Sequence, residues 1–240
     1  MTSRDPIAIA VAQPATVSFD VAANALTHAE AVFAARARVV VFPELSLTGY
    51  ELDAPAVPPG DPRLAPIVDA CAATSSIALV GAPVNGEEGG SAIGILAIDG
   101  SGVDVAYRKL WLGGSEPTHV VPGRAPAVRE VDGWRLGLAI CKDTGVPTHA
   151  ADTAALGIDA YVAGVLETIE DAGVVAERAG RVVKDHRVWV AIASFAGSTG
   201  GGYDRAAGGS GIWRPDGSVA ARAGAAPGEI VRATLVDPAT

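Results

Sequence analysis

The order of elements along the chain constrains its fold more than any single residue. Short, almost wholly apolar runs at Ile7–Ala12, Val39–Phe42, Ile77–Val84, Trp134–Ile140, Ala160–Ala163 and Val188–Ser194 read as buried strands. Helical patterns fall between several of them: Asp20 to about Arg36, with Val21, Ala25, Leu26, Ala29, Val32 and Phe33 on one face, a stretch ending near Thr74, Pro147 to Leu156, and Asp171 to His186. The alternation is broken twice. Asn85-Gly86 through Gly90 and Asp99-Gly100 join Ile77–Val84, Ala92–Ile98 and Val103–Tyr107 as a meander, and Pro215-Asp216-Gly217 sits between Gly211–Arg214 and Val219–Ala223 as a hairpin turn, before a last strand at Glu229–Leu235. Such mixed order argues against one purely parallel sheet and for two sheets packed together with helices outside.

Composition agrees with a globular chain of one domain over residues 1–240: 49 % of residues are apolar, 19 % are charged, and no linker divides the sequence. With 18 basic against 27 acidic residues the net charge is −9, and no Lys/Arg stripe is present to track a phosphate backbone, so nucleic acid and anionic membranes are not expected partners. The apolar run Ile7–Ala12 is cut by Gln13-Pro14, and no stretch approaches the roughly 18–20 apolar residues of a membrane span. A cytoplasmic location is expected, with Cys71 and Cys141 as unpaired thiols. The four histidines show no ligand-like spacing and there is no CxxC or HExxH, so no metal and no cofactor is expected. The glycine-rich stretch Gly197–Gly211 lacks the Gly-Lys-Ser/Thr of a phosphate loop and reads as a mobile loop near a pocket mouth.

Three segments hold ionisable residues in unusual settings. Cys141 ends the run Trp134–Ile140 and enters a polar turn, Lys142-Asp143-Thr144-Gly145, with a helix expected a few residues on whose positive end favours a thiolate. Glu44 follows Phe42-Pro43 at the end of an apolar strand, since proline cannot extend the ladder. Lys109 sits in Tyr107-Arg-Lys-Leu-Trp-Leu112, where it also reads as an exposed sheet residue. Cys71, by contrast, shares an apolar helical face with Ile67 and Val68 and reads as structural. The segment from Leu110 to Pro126 is irregular and long enough to be functional.

Taken together, Val41-Phe-Pro-Glu44-Leu with Thr48-Gly-Tyr50, then Tyr107-Arg-Lys109-Leu-Trp-Leu, then Leu136-Gly-Leu-Ala-Ile-Cys141-Lys-Asp143 resemble the three motifs of the nitrilase, or carbon–nitrogen hydrolase, superfamily. Pro122-Gly123, Gly208-Gly-Ser210 and Pro215-Asp-Gly217 extend the resemblance over Ile7 to Asp237. It implies an α/β four-layer αββα sandwich of two mixed β-sheets flanked by helices. It also implies a Glu-Lys-Cys triad: Glu44 as general base, Lys109 with the backbone N–H of Lys142 as oxyanion partners, and Cys141 as the nucleophile that forms a thioester. Glu116, in the loop after the lysine, matches a second glutamate that would orient Lys109. Tyr50, Lys142 and Asp143 are the candidate substrate-binding residues. The expected activity is hydrolysis of a small linear amide, with nitrile hydrolysis, acyl transfer or a non-catalytic binding subunit as alternatives on the same fold. A homodimer or higher homo-oligomer is also implied.

The chain departs from the family's usual pattern at Lys142, where an aromatic residue is common, and at Pro147-Thr148, where Pro-Glu is common. Lys142 places a cation beside the pocket, which suits either a substrate with an anionic end or a pairing with Asp143.

Overall fold

The structure, a computed structural model, describes residues 4–237. Its strands are β1 (Ile7–Ala12), β2 (Val39–Val41), β3 (Ile77–Asn85), β4 (Ser91–Asp99), β5 (Gly102–Arg108), β6 (Val128–Val131) and β7 (Trp134–Ile140). They continue with β8 (Ala160–Val165), β9 (Trp189–Ser194), β10 (Ala196–Gly197), β11 (Ala206–Ala207), β12 (Gly211–Trp213), β13 (Val219–Arg222) and β14 (Ile230–Leu235). One six-stranded sheet has the order β14-β1-β2-β3-β4-β5 and the other β13-β12-β9-β8-β7-β6; β10 and β11 form a small ribbon. In each large sheet three central strands are parallel, β1-β2-β3 and β7-β8-β9, and the outer ones are antiparallel.

Period-two alternation decides which sheet face meets what. Ile7, Ile9 and Val11 of β1 join Leu136, Leu138 and Ile140 of β7 in the core between the sheets. Ala10 and Ala12 point the other way, against α1 (Val21–Ala35) and α2 (Ala65–Thr74), where small side chains let the helices lie close. Ala139, Tyr161 and Ala163 likewise face α3 (Pro147–Ala155) and α4 (Val174–His186). Both faces of each central strand are thus covered, which is why these strands read as continuous apolar runs. The result is the expected αββα layering. A buried Ile or Leu here stabilises by about 1.5–3 kcal/mol, so the inter-sheet core is the main cohesive element. Among the described residues no helix is long and apolar enough to cross a membrane.

Three local expectations change. Leu26 and Phe33 are 57 % and 52 % exposed rather than core-facing. The buried stripe of α1 is turned towards Asn24 and His28, whose polar groups find partners in the loop beneath. Second, β6 was not expected, because it is an edge strand with polar residues and only part-burial. Third, the helix expected from Asp171 begins at Val174, after a 3-10 turn at Ile169–Asp171. Cys71 is buried on α2 as expected, and burial pushes its thiol up to about 11.

Candidate active site

Glu44 lies just beyond the C-terminal end of β2, between the two sheets. Two glycines make room for its loop. A Cβ on Gly81 of β3 would lie 2.1 Å from the Pro43 carbonyl oxygen, and one on Gly164 of β8 would lie 2.5 Å from that of Phe42. The loop turns at Leu45, with φ of 51°, and is fastened from below: Asn24 Nδ2 donates to the Leu47 carbonyl (2.9 Å), and Leu47 N–H donates to the Gly81 carbonyl (3.0 Å). His28 Nδ1 faces the Asn24 carbonyl at 2.6 Å and so carries the proton, leaving Nε2 to accept from Ser46 Oγ at 2.8 Å. Burial lowers the His28 pKa to about 4, which keeps the ring neutral.

Lys109 follows β5 and is buried, 1 % exposed, not the open sheet residue that its local sequence also allowed. Its Nζ donates to Glu44 Oε1 and to Glu116 Oε1, both at 2.6 Å. Glu116, on a 3-10 turn (Glu116–Thr118), also accepts from Gly113 N–H at 2.8 Å and from Tyr50 O–H at 2.9 Å. Two carboxylates therefore share one ammonium in a buried place. Burial, opposed by Lys109 and reinforced by Glu116, brings the Glu44 pKa up to about 7. Burial alone would lower the Lys109 pKa, but Glu44 and Glu116 outweigh it and hold the ammonium charged. Glu44 Oε2 is buried without a hydrogen-bond partner among the described residues.

Cys141 follows β7 with φ of 39°, a left-handed conformation costing about 1–3 kcal/mol outside glycine. It opens a 3-10 turn (Cys141–Gly145), and α3 starts only at Pro147. The turn is held on one side by α4, where Arg181 donates to the Thr144 carbonyl at 2.6 Å, and internally by Thr144 Oγ1 donating to the Cys141 carbonyl at 2.6 Å. The Cys141 thiol donates to the Leu166 carbonyl at 3.5 Å. Burial and the nearby Glu44 carboxylate push its pKa up, so the expected helix-stabilised thiolate is replaced by a neutral thiol.

Above Cys141 opens a cleft of about 530 Å³. Tyr50 and Tyr203 meet edge to face on its wall, and Lys142 stands exposed at its rim without an ion pair among the described residues. The cleft also holds two polar pairs that the sequence did not single out, the Arg178–Glu167 ion pair at 2.5 Å and a hydrogen bond between His119 Nδ1 and Asp53 Oδ1 at 2.7 Å. These residues arrive from distant segments and carry no local motif. Tyr203 and Gly201 bring the glycine-rich stretch to the mouth. Asp143 does not belong to the lining, contrary to expectation: it is fully buried behind the turn, where it accepts from the N–H groups of Ile140 and Trp111 at 2.9 Å and from Tyr107 O–H at 2.8 Å. At 0 % exposure and with both oxygens already engaged by protein donors, it is out of a ligand's reach. His149 is likewise buried.

The site thus joins a neutral thiol, a carboxylate with an unused oxygen and a near-neutral pKa, and a fixed ammonium. Such a set suits proton abstraction from the thiol and stabilisation of developing negative charge.

A family model described as carbon-nitrogen hydrolase matches residues 8–238. None of the curated proteins matches the chain. Among solved structures, an amidase of the nitrilase superfamily from Nesterenkonia AN1 is similar at TM-score 0.85 and 22 % identity, covering 99 % of this chain and 92 % of that one. Nit3 from Saccharomyces cerevisiae, a member of branch 10 of the nitrilase superfamily, is similar at TM-score 0.85 and 21 % identity, covering 98 % and 92 %. The superfamily protein XC1258 from Xanthomonas campestris reaches TM-score 0.86 at 18 % identity, covering 97 % and 91 %.

Proposed function

Since the chain belongs to the carbon-nitrogen hydrolase family, we propose that it is an amidase-type hydrolase in which Cys141 attacks a small linear amide. The observation that carries this reading is the position of Glu44, which leaves Oε2 unpartnered beside a neutral Cys141 thiol while Lys109 occupies Oε1. In the first half-reaction Glu44 takes the thiol proton as sulfur bonds to the carbonyl carbon. The carbonyl oxygen becomes an oxyanion, met by the Lys109 ammonium and by the Lys142 N–H, an amide in the first turn of a 3-10 helix with no acceptor inside it. Glu44 then passes the proton to the leaving nitrogen, ammonia or an amine departs, and a thioester remains. In the second half, water gives a proton to Glu44 and attacks the thioester; the carbon–sulfur bond breaks, the acid is released, and Glu44 returns the proton to the Cys141 sulfur, restoring the thiol and the carboxylate. Glu116, bonded to Lys109 and Tyr50, fixes the ammonium on the oxyanion side.

The Nesterenkonia amidase supports the same assignment by analogy, because in one of its structures the acetamide moiety of fluoroacetamide is covalently added at the active-site cysteine. Lys142, the unpaired cation at the rim, favours an amide whose far end is anionic. The test is turnover of short amides, followed by ammonia release, with acyl-adduct detection on the intact protein. Cys141→Ala and Cys141→Ser are expected to keep the fold and lose turnover and adduct; an alanine variant working at the parent rate overturns the nucleophile.

A further inference from the structure

The buried residues behind the nucleophile turn form a chain of hydrogen bonds that the reaction does not consume. Tyr107 Oη lies 2.8 Å from Asp143 Oδ2 and 2.8 Å from His149 Nε2, and His149 Nδ1 lies 2.8 Å from Tyr161 Oη. All four side chains are buried, with Asp143 and Tyr161 at 0 % exposure. Donor counting fixes the direction. Burial lowers the His149 pKa and keeps the ring neutral, so it has one N–H. Tyr107 has one O–H, and Asp143 Oδ2 takes it, so Nε2 is the protonated nitrogen that donates to Tyr107 and Nδ1 accepts from Tyr161 O–H. The chain therefore runs one way: Tyr161 to His149 to Tyr107 to Asp143.

Its end point joins the two halves of the site. Asp143 accepts from Ile140 N–H, the residue before Cys141, and from Trp111 N–H, two residues after Lys109; Tyr107 stands two residues before Lys109. We infer that the Tyr161–His149–Tyr107–Asp143 chain is a positioning relay that sets the placement of Cys141 against Lys109. Tyr161 lies on β8 and His149 on α3, so the relay anchors the nucleophile turn to the outer layer of its sheet as well as to the lysine segment. A neutral donor chain ending on a carboxylate has one satisfied arrangement, and each broken link leaves a buried polar group unpaired. Displacing catalytic groups by about 1 Å can cost on the order of 10²-fold in rate, which makes such an anchor consequential. The inference rests on the reading of Cys141 and Lys109 as reacting groups.

Two assays test it: the rate of Cys141 alkylation by iodoacetamide, followed on the intact protein, and kcat and KM on short aliphatic amides. His149→Leu removes the ring donor and is expected to slow alkylation and lower kcat by about tenfold or more at nearly unchanged KM. His149→Gln, whose amide N–H replaces the Nε2 donor, is expected to restore both to within about threefold of the parent. A purely structural role would shift melting temperature without this split or this rescue. Parent rates in a folded His149→Leu, or equal loss in the leucine and glutamine variants, overturn the relay. If His149→Leu does not fold, Tyr107→Phe, which keeps the ring and removes the central hydroxyl, decides by the same two rates: a loss like that expected for leucine supports the relay, and parent rates overturn it. Alkylation alone decides if no amide in the panel turns over. Turnover by Cys141→Ala would instead overturn the nucleophile.

Discussion

Lys109 Nζ donates to Glu44 Oε1 at 2.6 Å with both residues 1 % exposed, so the ammonium and the carboxylate hold one another in a place neither would occupy alone. Burying either charge unpaired would be costly. Glu116 adds a second carboxylate to the same ammonium, so the trio carries a net negative charge when all three are ionised.

Glu44→Gln is expected to lower turnover by about 10²–10⁴-fold and at the same time to stabilise the fold. The stability effect has a pH sign. The Glu44 pKa rises from 4.5 to about 7 on folding, so the folded chain binds the extra proton and the stability that this supplies is lost as pH climbs through 7. The glutamine variant does not titrate, so its margin over the parent should widen from pH 4.5 to above 7. Urea titrations at pH 5 and pH 8 check this; a margin that narrows refutes it.

Amide turnover should rise with pH through about 7, because only the Glu44 carboxylate can accept the thiol proton. A profile of kcat/KM from pH 5 to 9 should show that acidic limb. A flat profile across the range would count against Glu44 as the base.

His28 acts in the opposite sense. Its pKa falls from 6.5 to about 4 on folding, so the unfolded chain binds the extra proton between those values and stability is lost as pH falls through that window. The loss attributable to this residue is about 3 kcal/mol by pH 4. His28→Gln, measured by urea unfolding, should show a shallower drop from pH 6.5 to pH 4 than the parent.

Gly81→Ala should damage the site more than an alanine elsewhere in β3, because the new Cβ would meet the Pro43 carbonyl at 2.1 Å and displace Glu44. Loss of about 1–3 kcal/mol in stability is expected. Turnover should fall further than that loss explains, as judged by kcat in fully folded protein.

Lys142→Glu should lower kcat/KM for half-amides of short dicarboxylic acids by about tenfold or more while sparing neutral amides of the same length, since a charge at the cleft rim acts on ligand charge. High salt should shrink the difference. Equal effects on charged and neutral amides would place the substrate's far end elsewhere.

The layers of the fold were legible because they depend on patterns of few residues: apolar runs buried on both faces, turn signals, and the switch from alternation to meander. Glu44, Lys109 and Cys141 were legible for a different reason: each closes or follows a strand, but the local setting left a structural role open, and it was the joint resemblance of the three segments to one family's motifs that singled them out. Leu26 and Phe33 were misread because apolar spacing alone cannot show that Asn24 and His28 would find buried partners in the Glu44 loop.

By itself, then, the sequence determined the two-sheet architecture and the chemical types gathered at the strand ends, since strand periodicity and backbone punctuation are local. Only the tertiary structure decided protonation and role. Asp143 became a buried anchor and not a ligand because three donors from β5, the lysine segment and the strand end converge on it. Glu44 acquired a pKa near neutrality, and Cys141 a neutral thiol, because burial and charges remote in the chain, such as Lys109 65 residues from Glu44, set their pKa values. Long-range electrostatics depends on distance in space, which no spacing along the chain specifies.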